Sequence, residues 1–400
     1  MSGLGVVGPH GLGAGTLAAA LAGGAPPPTR EVDRNERYHR PGSARRAILV
    51  GGHDLAPLLP PTGRRMSAPA RYAVAAARLA LEDAGLTGGD LGATAIVSGT
   101  AWGPTRVTEQ LLLQIFGAGP ETASPALFTE SVASAAASQV AIAFRLRGPN
   151  VAINQRAASG LLALGEAMRL VASGRAERAL AIAVDESIPI LHAMLDRFGA
   201  LARANGDGVE RARPFDRRRA GMLVSEGATV ALVEPIETIV RRGARPRLEL
   251  VAAASGFDPS APPYDHGTGS GALAERLARE LGRQGIDPAA LALVVSGASG
   301  SRRGDRLEAG LLRALFAPRG LPPVIAPKWL TGEYGGDFLG AALLAAAGAP
   351  VAPPPDTFEP DPELGIAPAA VPVLAAGPTL VTTCAAGGAA AWIVAAPNRA

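Results

Sequence analysis

The residues best placed to do chemistry lie on the stretch Asn150-Val151-Ala152-Ile153-Asn154-Gln155-Arg156-Ala157-Ala158-Ser159-Gly160, ahead of a Leu- and Ala-rich run to residue 174. An apolar, partly β-branched segment stops at small residues and an amphipathic pattern follows at once, which predicts a strand feeding a helix through a tight turn. Such a turn lifts one side chain into the positive end of the helix, where a thiol is acidified and becomes a nucleophile. The crest of the turn therefore calls for Cys, Ser or Asp. It carries Ala157. An arrangement suited to presenting a nucleophile presents a methyl group.

Other reactive groups are sparse. The single cysteine, Cys384, excludes an internal disulfide framework and any CxxC metal site, which fits a reducing cytoplasm. Histidines stand at 10, 39, 53, 192 and 266, and Lys328 is the only lysine. That a compact ammonium was kept among so many arginines points to a position where a planar guanidinium does not fit. Glycine-rich pieces such as residues 267–271 lack both phosphate-loop spacings, so neither a nucleotide nor a metal site is expected. The 38 basic and 35 acidic residues nearly balance at a net charge of +3, and no basic block is interleaved with aromatics, which argues against a nucleic-acid groove. Residues 1–24 are apolar but lack a basic leader and are broken by Pro9 and glycines, and the Ala-rich run 340–348 is short. No signal peptide or membrane span is predicted.

The elements that must position these groups read as an alternation. Strands are predicted at 4–12 (ending in a turn), 47–50, 94–98, 179–184, 247–254, 291–295 and 324–325, with a closing hairpin of 379–383 and 389–395. Helices are predicted at 66–85 with Ser67 as N-cap, then at 107–115, 131–146, 271–285, 307–316 and 338–347. Residues 221–233 alternate as a hairpin or strand pair. Residues 25–41 and 55–65 read as loops, 186–208 as mixed helix and loop, and 350–368 as a Pro- and acid-rich linker. With 48% apolar residues in 400, the chain can bury a large core. Alternation on both sides of a break near residue 245 predicts an α/β fold of two comparable halves, 1–245 and 246–400, with largely parallel sheets covered by helices.

Several motifs, in order along the chain, resemble those of β-ketoacyl synthases, the condensing enzymes of fatty acid and polyketide assembly. Residues 5–13 resemble the family's opening strand and turn. Arg65-Met66-Ser67, Arg71-Tyr72-Ala73 and Ala80-Leu81-Glu82-Asp83-Ala84-Gly85-Leu86 are close to its first long helix. Leu146-Arg147-Gly148-Pro149-Asn150 resembles the approach to its nucleophile. Arg213-Pro214-Phe215-Asp216 with Ser225-Glu226-Gly227-Ala228 matches another signature, and residues 241–245 resemble the basic link after it. The resemblance implies a thiolase-like fold, an αβαβα layered core. It also implies a Cys nucleophile and two His residues that assist decarboxylation and stabilise the oxyanion. Those positions fall on Ala157, on Gly297 in Gly297-Ala298-Ser299-Gly300-Ser301-Arg302-Arg303-Gly304-Asp305, and on Glu333 in Lys328-Trp329-Leu330-Thr331-Gly332-Glu333. All three groups are gone. By the same resemblance Lys328 supports the loop of the second His, with Asp305 and Glu308 as its acidic neighbours.

None of the five histidines falls on either motif. His266, in Tyr264-Asp265-His266, is expected to be solvated or structural, and Cys384 to be a packed turn thiol. What the resemblance implies is a catalytically silent, chain-length-factor-like subunit. Such a subunit would pair with an active ketosynthase and serve the phosphopantetheine thioester of an acyl carrier protein, with no bound cofactor of its own. Many chain-length factors carry Gln at the Cys position; here Gln155 lies two residues earlier and is expected to point elsewhere. Two alternatives stand beside this reading. Glu333, with Tyr334 or Ser299, could act as a general base on a carrier-bound thioester, or a homodimer could bind acyl carriers alone through a pocket opened by Ala385-Ala386.

Overall fold

The computed structural model describes residues 1–88, 90–204, 208–317, 320–355 and 358–398. The buried β-branched runs form two mixed sheets. The first contains β1 (Gly3–Gly8), β2 (Gly11–Leu12), β5 (Thr94–Gly99), β6 (Asn150–Ile153), β7 (Arg178–Asp185) and β8 (Gly227–Val233), in the order β2-β1-β8-β7-β5-β6. The second contains β9 (Leu248–Phe257), β10 (Leu293–Ser296), β11 (Val324–Ile325), β12 (Thr379–Cys384) and β13 (Ala389–Pro397), in the order β11-β10-β12-β13-β9. A small antiparallel pair, β3 (Thr29–Glu31) and β4 (Arg46–Ile48), stands apart.

The expectation of largely parallel sheets is corrected. Only β6-β5-β7 and β11-β10-β12 run parallel; β7-β8-β1-β2 and β12-β13-β9 are antiparallel. A strand buried on both faces reads as a continuous apolar run whichever way its neighbours point. Residues 221–226 are not a hairpin arm either. Single bridges tie Met222 to Leu201, Val224 to Glu333 and Ser225 to Ile48, and only then does β8 begin. In the mixed segment 186–208, residues Pro189–Arg197 are helical, and 205–207 lie outside the described residues.

The helices make three layers. α1 (Ala14–Gly23), α2 (Ala68–Asp83), α3 (Thr105–Ala118), α4 (Pro125–Glu130), α5 (Ala135–Phe144), α6 (Ser159–Ala172) and α7 (Pro189–Arg197) belong to the first half. α8 (Ile236–Arg241) leads out of it, and α9 (Ser270–Arg283), α10 (Arg302–Phe316), α11 (Lys328–Thr331) and α12 (Asp337–Ala346) follow. α2 and α5 cover the outer face of the first sheet, and α9 and α10 that of the second. Between the sheets lie α6 and α12, giving the layered αβαβα order. Every residue of α12 is buried, as a helix that is apolar all round must be. α6 fits because its contact points are small: Gly160 sits against Ala183 of β7, and Gly165 against Ala253 and Ile393 of the opposite sheet. One core cluster therefore runs through both sheets.

α1 was not expected, because its Gly/Ala sequence carries only two buried leucines, Leu17 and Leu21. Ser67 does occupy the N-cap of α2, but its hydroxyl makes no capping bond.

Candidate functional site

The strand-to-helix turn forms as the sequence implies. β6 ends at Ile153, and a single 3₁₀ turn over Arg156–Ala158 passes directly into α6. Ser159 pins it. Its hydroxyl accepts from the Gln155 amide at 2.8 Å and donates to the Thr100 carbonyl at 3.0 Å, tying the turn to the end of β5. Ala157 faces a narrow cleft that Arg156, Leu161, Ala183, Asp185, Glu333, Tyr334, Phe338 and Leu339 also line. Two of the three positions singled out by the resemblance, Ala157 and Glu333, thus meet in one place. Gln155 is exposed and takes no part.

Gly297 follows β10, and the position has closed around it. A Cβ there would stand 2.7 Å from the Thr382 carbonyl oxygen and 2.8 Å from the Thr383 Cβ and hydroxyl. The loop it opens is held by two acids on the first turns of α10. Glu308 accepts from the Ser296 hydroxyl at 2.7 Å, the Gly297 amide at 2.8 Å and the Thr382 hydroxyl. Asp305 accepts from the Ser299 and Gly300 amides, each at 3.1 Å, and from the Phe215 amide at 2.8 Å. Burial pushes the Asp305 carboxyl up to about 7, against the pull of those amides. Asp305 and Glu308 therefore hold backbone in place and are not ion-pair partners of Lys328.

Lys328 pairs with Glu333. Its Nζ lies 2.7 Å from Glu333 Oε1 and 4.5 Å from the centroid of the Phe338 ring. Both side chains are buried, at 1% and 7% exposure. The compact ammonium thus sits in a closed space between a carboxylate and a ring. Glu333 is fixed through its backbone as well, donating to the Leu223 carbonyl and accepting from the Ser225 amide, both at 2.8 Å.

Beside Tyr334, groups that no sequence motif singled out stand in or next to the cleft. Asp185 ends β7 and accepts from the Thr100 hydroxyl at 2.7 Å and from the Ala101 and Trp102 amides at 2.9 and 3.0 Å. Burial pushes its carboxyl up to about 7. The adjacent acids Asp185-Glu186 at the end of a buried strand were its only signal. Arg156 and Tyr334, on opposite walls, both have left-handed backbones, at φ 49° and 72°, which a residue with a Cβ adopts at a cost. Tyr334 stacks edge-on against Trp102 at 5.5 Å, and burial pushes its phenol up. Asp337 begins α12 with both carboxyl oxygens buried and unpartnered, and burial alone pushes it up to about 8.

His266 is not solvated. Its ring is mostly buried against Gly304, with Nε2 3.3 Å from the Cys384 carbonyl, and burial lowers its pKa. Cys384 is buried and free, and burial pushes its thiol up, away from nucleophilic character. Ser299 is buried outside the set of cleft-lining residues. Among the described residues, no group of three or more His, Cys, Asp or Glu side chains is arranged to hold a metal. No helix among them is long and apolar enough to cross a membrane.

Residues 3–238 match the family model described as beta-ketoacyl synthase, N-terminal domain. The chain belongs to the β-ketoacyl synthase family. A Streptomyces halstedii protein named as a polyketide beta-ketoacyl synthase 1 is 31% identical over 91% of this chain and 89% of its own length. The solved structure of the ishigamide ketosynthase/chain length factor superposes on the whole chain and 98% of its own, with a TM-score of 0.87 at 25% identity. A type II polyketide synthase acyl-carrier protein in complex with its ketosynthase provides a further match, with a TM-score of 0.85 over 99% of this chain and 98% of that one. At 22% identity that last match speaks for the fold alone. The family's thiolase-like layering is the architecture described above.

Proposed function

We propose that the chain is a catalytically silent, chain-length-factor-like subunit that pairs with an active β-ketoacyl synthase and works on acyl-carrier thioesters in polyketide or fatty-acid-like synthesis. The observation that carries this is the concerted emptying of one site. Ala157 supplies no thiolate, Gly297 has no room for an imidazole, and Glu333 is held by Lys328. Condensation needs a nucleophile for the acyl chain and donors for the enolate and oxyanion, and none stands at those positions. The Glu333-based alternative has the ion pair against it, since Lys328 engages Oε1 at 2.7 Å and ties the carboxylate down. The carrier's phosphopantetheine thioester is substrate here, and the cleft wall of Leu161, Ala183, Phe338 and Leu339 suits acyl carbons.

Pairing is supported by the edge of the first sheet. β6 is the last strand, hydrogen-bonded on one side only and half exposed. An unpaired, uncharged edge is a template for another chain. Beside it, α3, α4 and α5 carry exposed apolar side chains, among them Phe116 at 82%, Phe128 at 62% and Ile142 at 69% exposure. So large an apolar surface is characteristic of an interface. Co-expression with active ketosynthases followed by size-exclusion chromatography tests the reading. A stable complex is expected, weakened by Phe116→Glu, and the pure chain is expected to turn over no acyl-carrier thioester. A homodimer that ignores every ketosynthase, or thioester turnover by the chain alone, would sink it.

A further inference from the structure

Two imidazoles are buried side by side, away from the cleft at Ala157. His39 lies in the loop that joins β3 to β4 and His192 on α7; they are 7% and 0% exposed, with ring centroids 5.6 Å apart. Their partners fix which nitrogen of each ring carries the hydrogen. The Asn35 amide donates to His39 Nδ1 at 3.3 Å, so Nδ1 is bare and Nε2 is protonated. His192 Nε2 stands 3.3 Å from the Arg46 carbonyl, which only accepts, so here Nε2 is protonated and Nδ1 is bare. The remaining nitrogens, His39 Nε2 and His192 Nδ1, are sealed from solvent and have no partner among the described residues. Neither ring has a place for a second proton. On His39 it would go to Nδ1, against the Asn35 N–H, and on His192 to Nδ1, where no acceptor stands.

The loop depends on these rings because it has little else to bury. Between residues 33 and 46 only His39, Ser43 and Ala44 are buried, so the imidazole is its one large buried side chain. The other ties are polar. The Ala44 amide donates to Asp196 Oδ1 at 3.0 Å, and the Arg45 and Arg46 amides donate to Glu210 at 2.9 and 2.8 Å. The Tyr38 hydroxyl donates to Glu109 of α3 at 2.9 Å, and Arg197 of α7 donates to the Tyr38 carbonyl at 3.3 Å. A segment with so few buried apolar contacts opens locally at low cost. The charges around the rings do not favour protonation enough to offset burial, which lowers both pKa values, that of His192 to about 4. Arg34 of the loop opposes a charge on either ring. Asp196 of α7 favours one, but its carboxylate is already engaged by the Ala44 amide and by Arg203 at 2.7 Å.

We propose that His39 and His192 form an acid-sensitive latch: the neutral pair holds the β3–β4 loop closed on α7, and protonation of either ring releases the loop while both sheets stay folded. Release also undoes the Tyr38 link between α7 and α3. In the open loop a histidine titrates at its ordinary 6.5, so the closed state binds fewer protons between about 4 and 6.5. Closure is therefore complete above 6.5 and weakens as pH falls below it. The proposal goes beyond the subunit reading and does not rest on it.

Hydrogen exchange of the full chain at pH 7.5 and pH 5, read by mass spectrometry and corrected for the intrinsic rate, tests the latch. Protection of residues 33–46 should fall roughly thirtyfold from His192 alone, with α6 and α12 unchanged. The double variant His39→Asn with His192→Gln keeps an acceptor for the Asn35 amide and a donor for the Arg46 carbonyl but cannot titrate. It should hold its protection at pH 5. His53→Gln, which alters an exposed ring, should behave as the unaltered chain. Unchanged protection of the loop at pH 5, a loss shared by α6 and α12, or a loss that survives in the double variant overturns the proposal. Should the double variant fold poorly, NMR titration of the unaltered chain takes its place, with the two rings assigned from the single variants. Both rings staying neutral through the pH range in which the loop opens would likewise overturn it, and protonation of either ring in step with the opening would support it.

Discussion

Removing the Glu333 charge is the sharpest perturbation of this site. Glu333→Gln leaves the Lys328 ammonium 1% exposed with no anion against it. Taking away one partner of a buried pair costs about 3–5 kcal/mol, because the survivor is an uncompensated charge. The lower end applies here. The Phe338 ring, 4.5 Å from Nζ, still faces the ammonium, and the glutamine carbonyl can accept in place of Oε1. Lys328→Met should cost nearer the upper end, since the ring offers a stranded carboxylate nothing. The pair Lys328→Met with Glu333→Gln removes both charges and should lose only about 1–2 kcal/mol, less than either single change. Urea unfolding with unchanged slopes reads these differences as shifts in midpoint. The double-mutant cycle should return a coupling of at least about 2 kcal/mol. If the double variant instead loses the sum of the two singles, to within about 0.5 kcal/mol, the two charges do not stabilise each other and the reasoning fails.

Two further predictions concern the same core. Asp337, pushed up to about 8 by burial with no partner, keeps in the folded chain a proton that its ordinary value of 3.8 releases on unfolding. The folded state binds more protons across that window, so its contribution is complete below about pH 4 and is lost as pH rises through about 8. Asp337→Asn, which mimics the neutral acid, should flatten that slope and raise stability at pH 8 by several kcal/mol; an unchanged pH profile in that variant would refute it. Gly297→His should destabilise by about 2 kcal/mol or more, because its Cβ meets the Thr382 carbonyl at 2.7 Å. Adding Ala157→Cys and Glu333→His should still give no β-ketoacyl product, and condensation by that triple variant would show that the site had not closed.

The parts of this molecule legible in the sequence share a cause. The turn at Ala157 was readable because strand, small residues and helix follow one another locally, and every signal sits within about 25 residues. The helices α2, α9 and α10 were readable for the same reason, through apolar spacing on one face. α1 escaped because Gly and Ala carry no such contrast. The alternation of residues 222–225 was misread because it records bridges to three distant segments, near Ile48, Leu201 and Glu333. Asp185 and Arg156 escaped because nothing local distinguishes a cleft-lining charge from a solvated one.

The order and spacing of motifs in the chain were enough to indicate the layered fold, since it rests on patterns continuous along the backbone, and they are the ground for proposing Ala157, Gly297 and Glu333 as emptied positions. Whether those positions meet was a matter of packing. The tertiary structure decided that Lys328 pairs with Glu333 while Asp305 and Glu308 hold the loop after β10, that strands about 50 residues apart run antiparallel, and that Gly297 has no space beside Thr382 and Thr383. Charge pairing and steric closure depend on through-space distances of a few ångströms between residues far apart in sequence, and no local pattern encodes them.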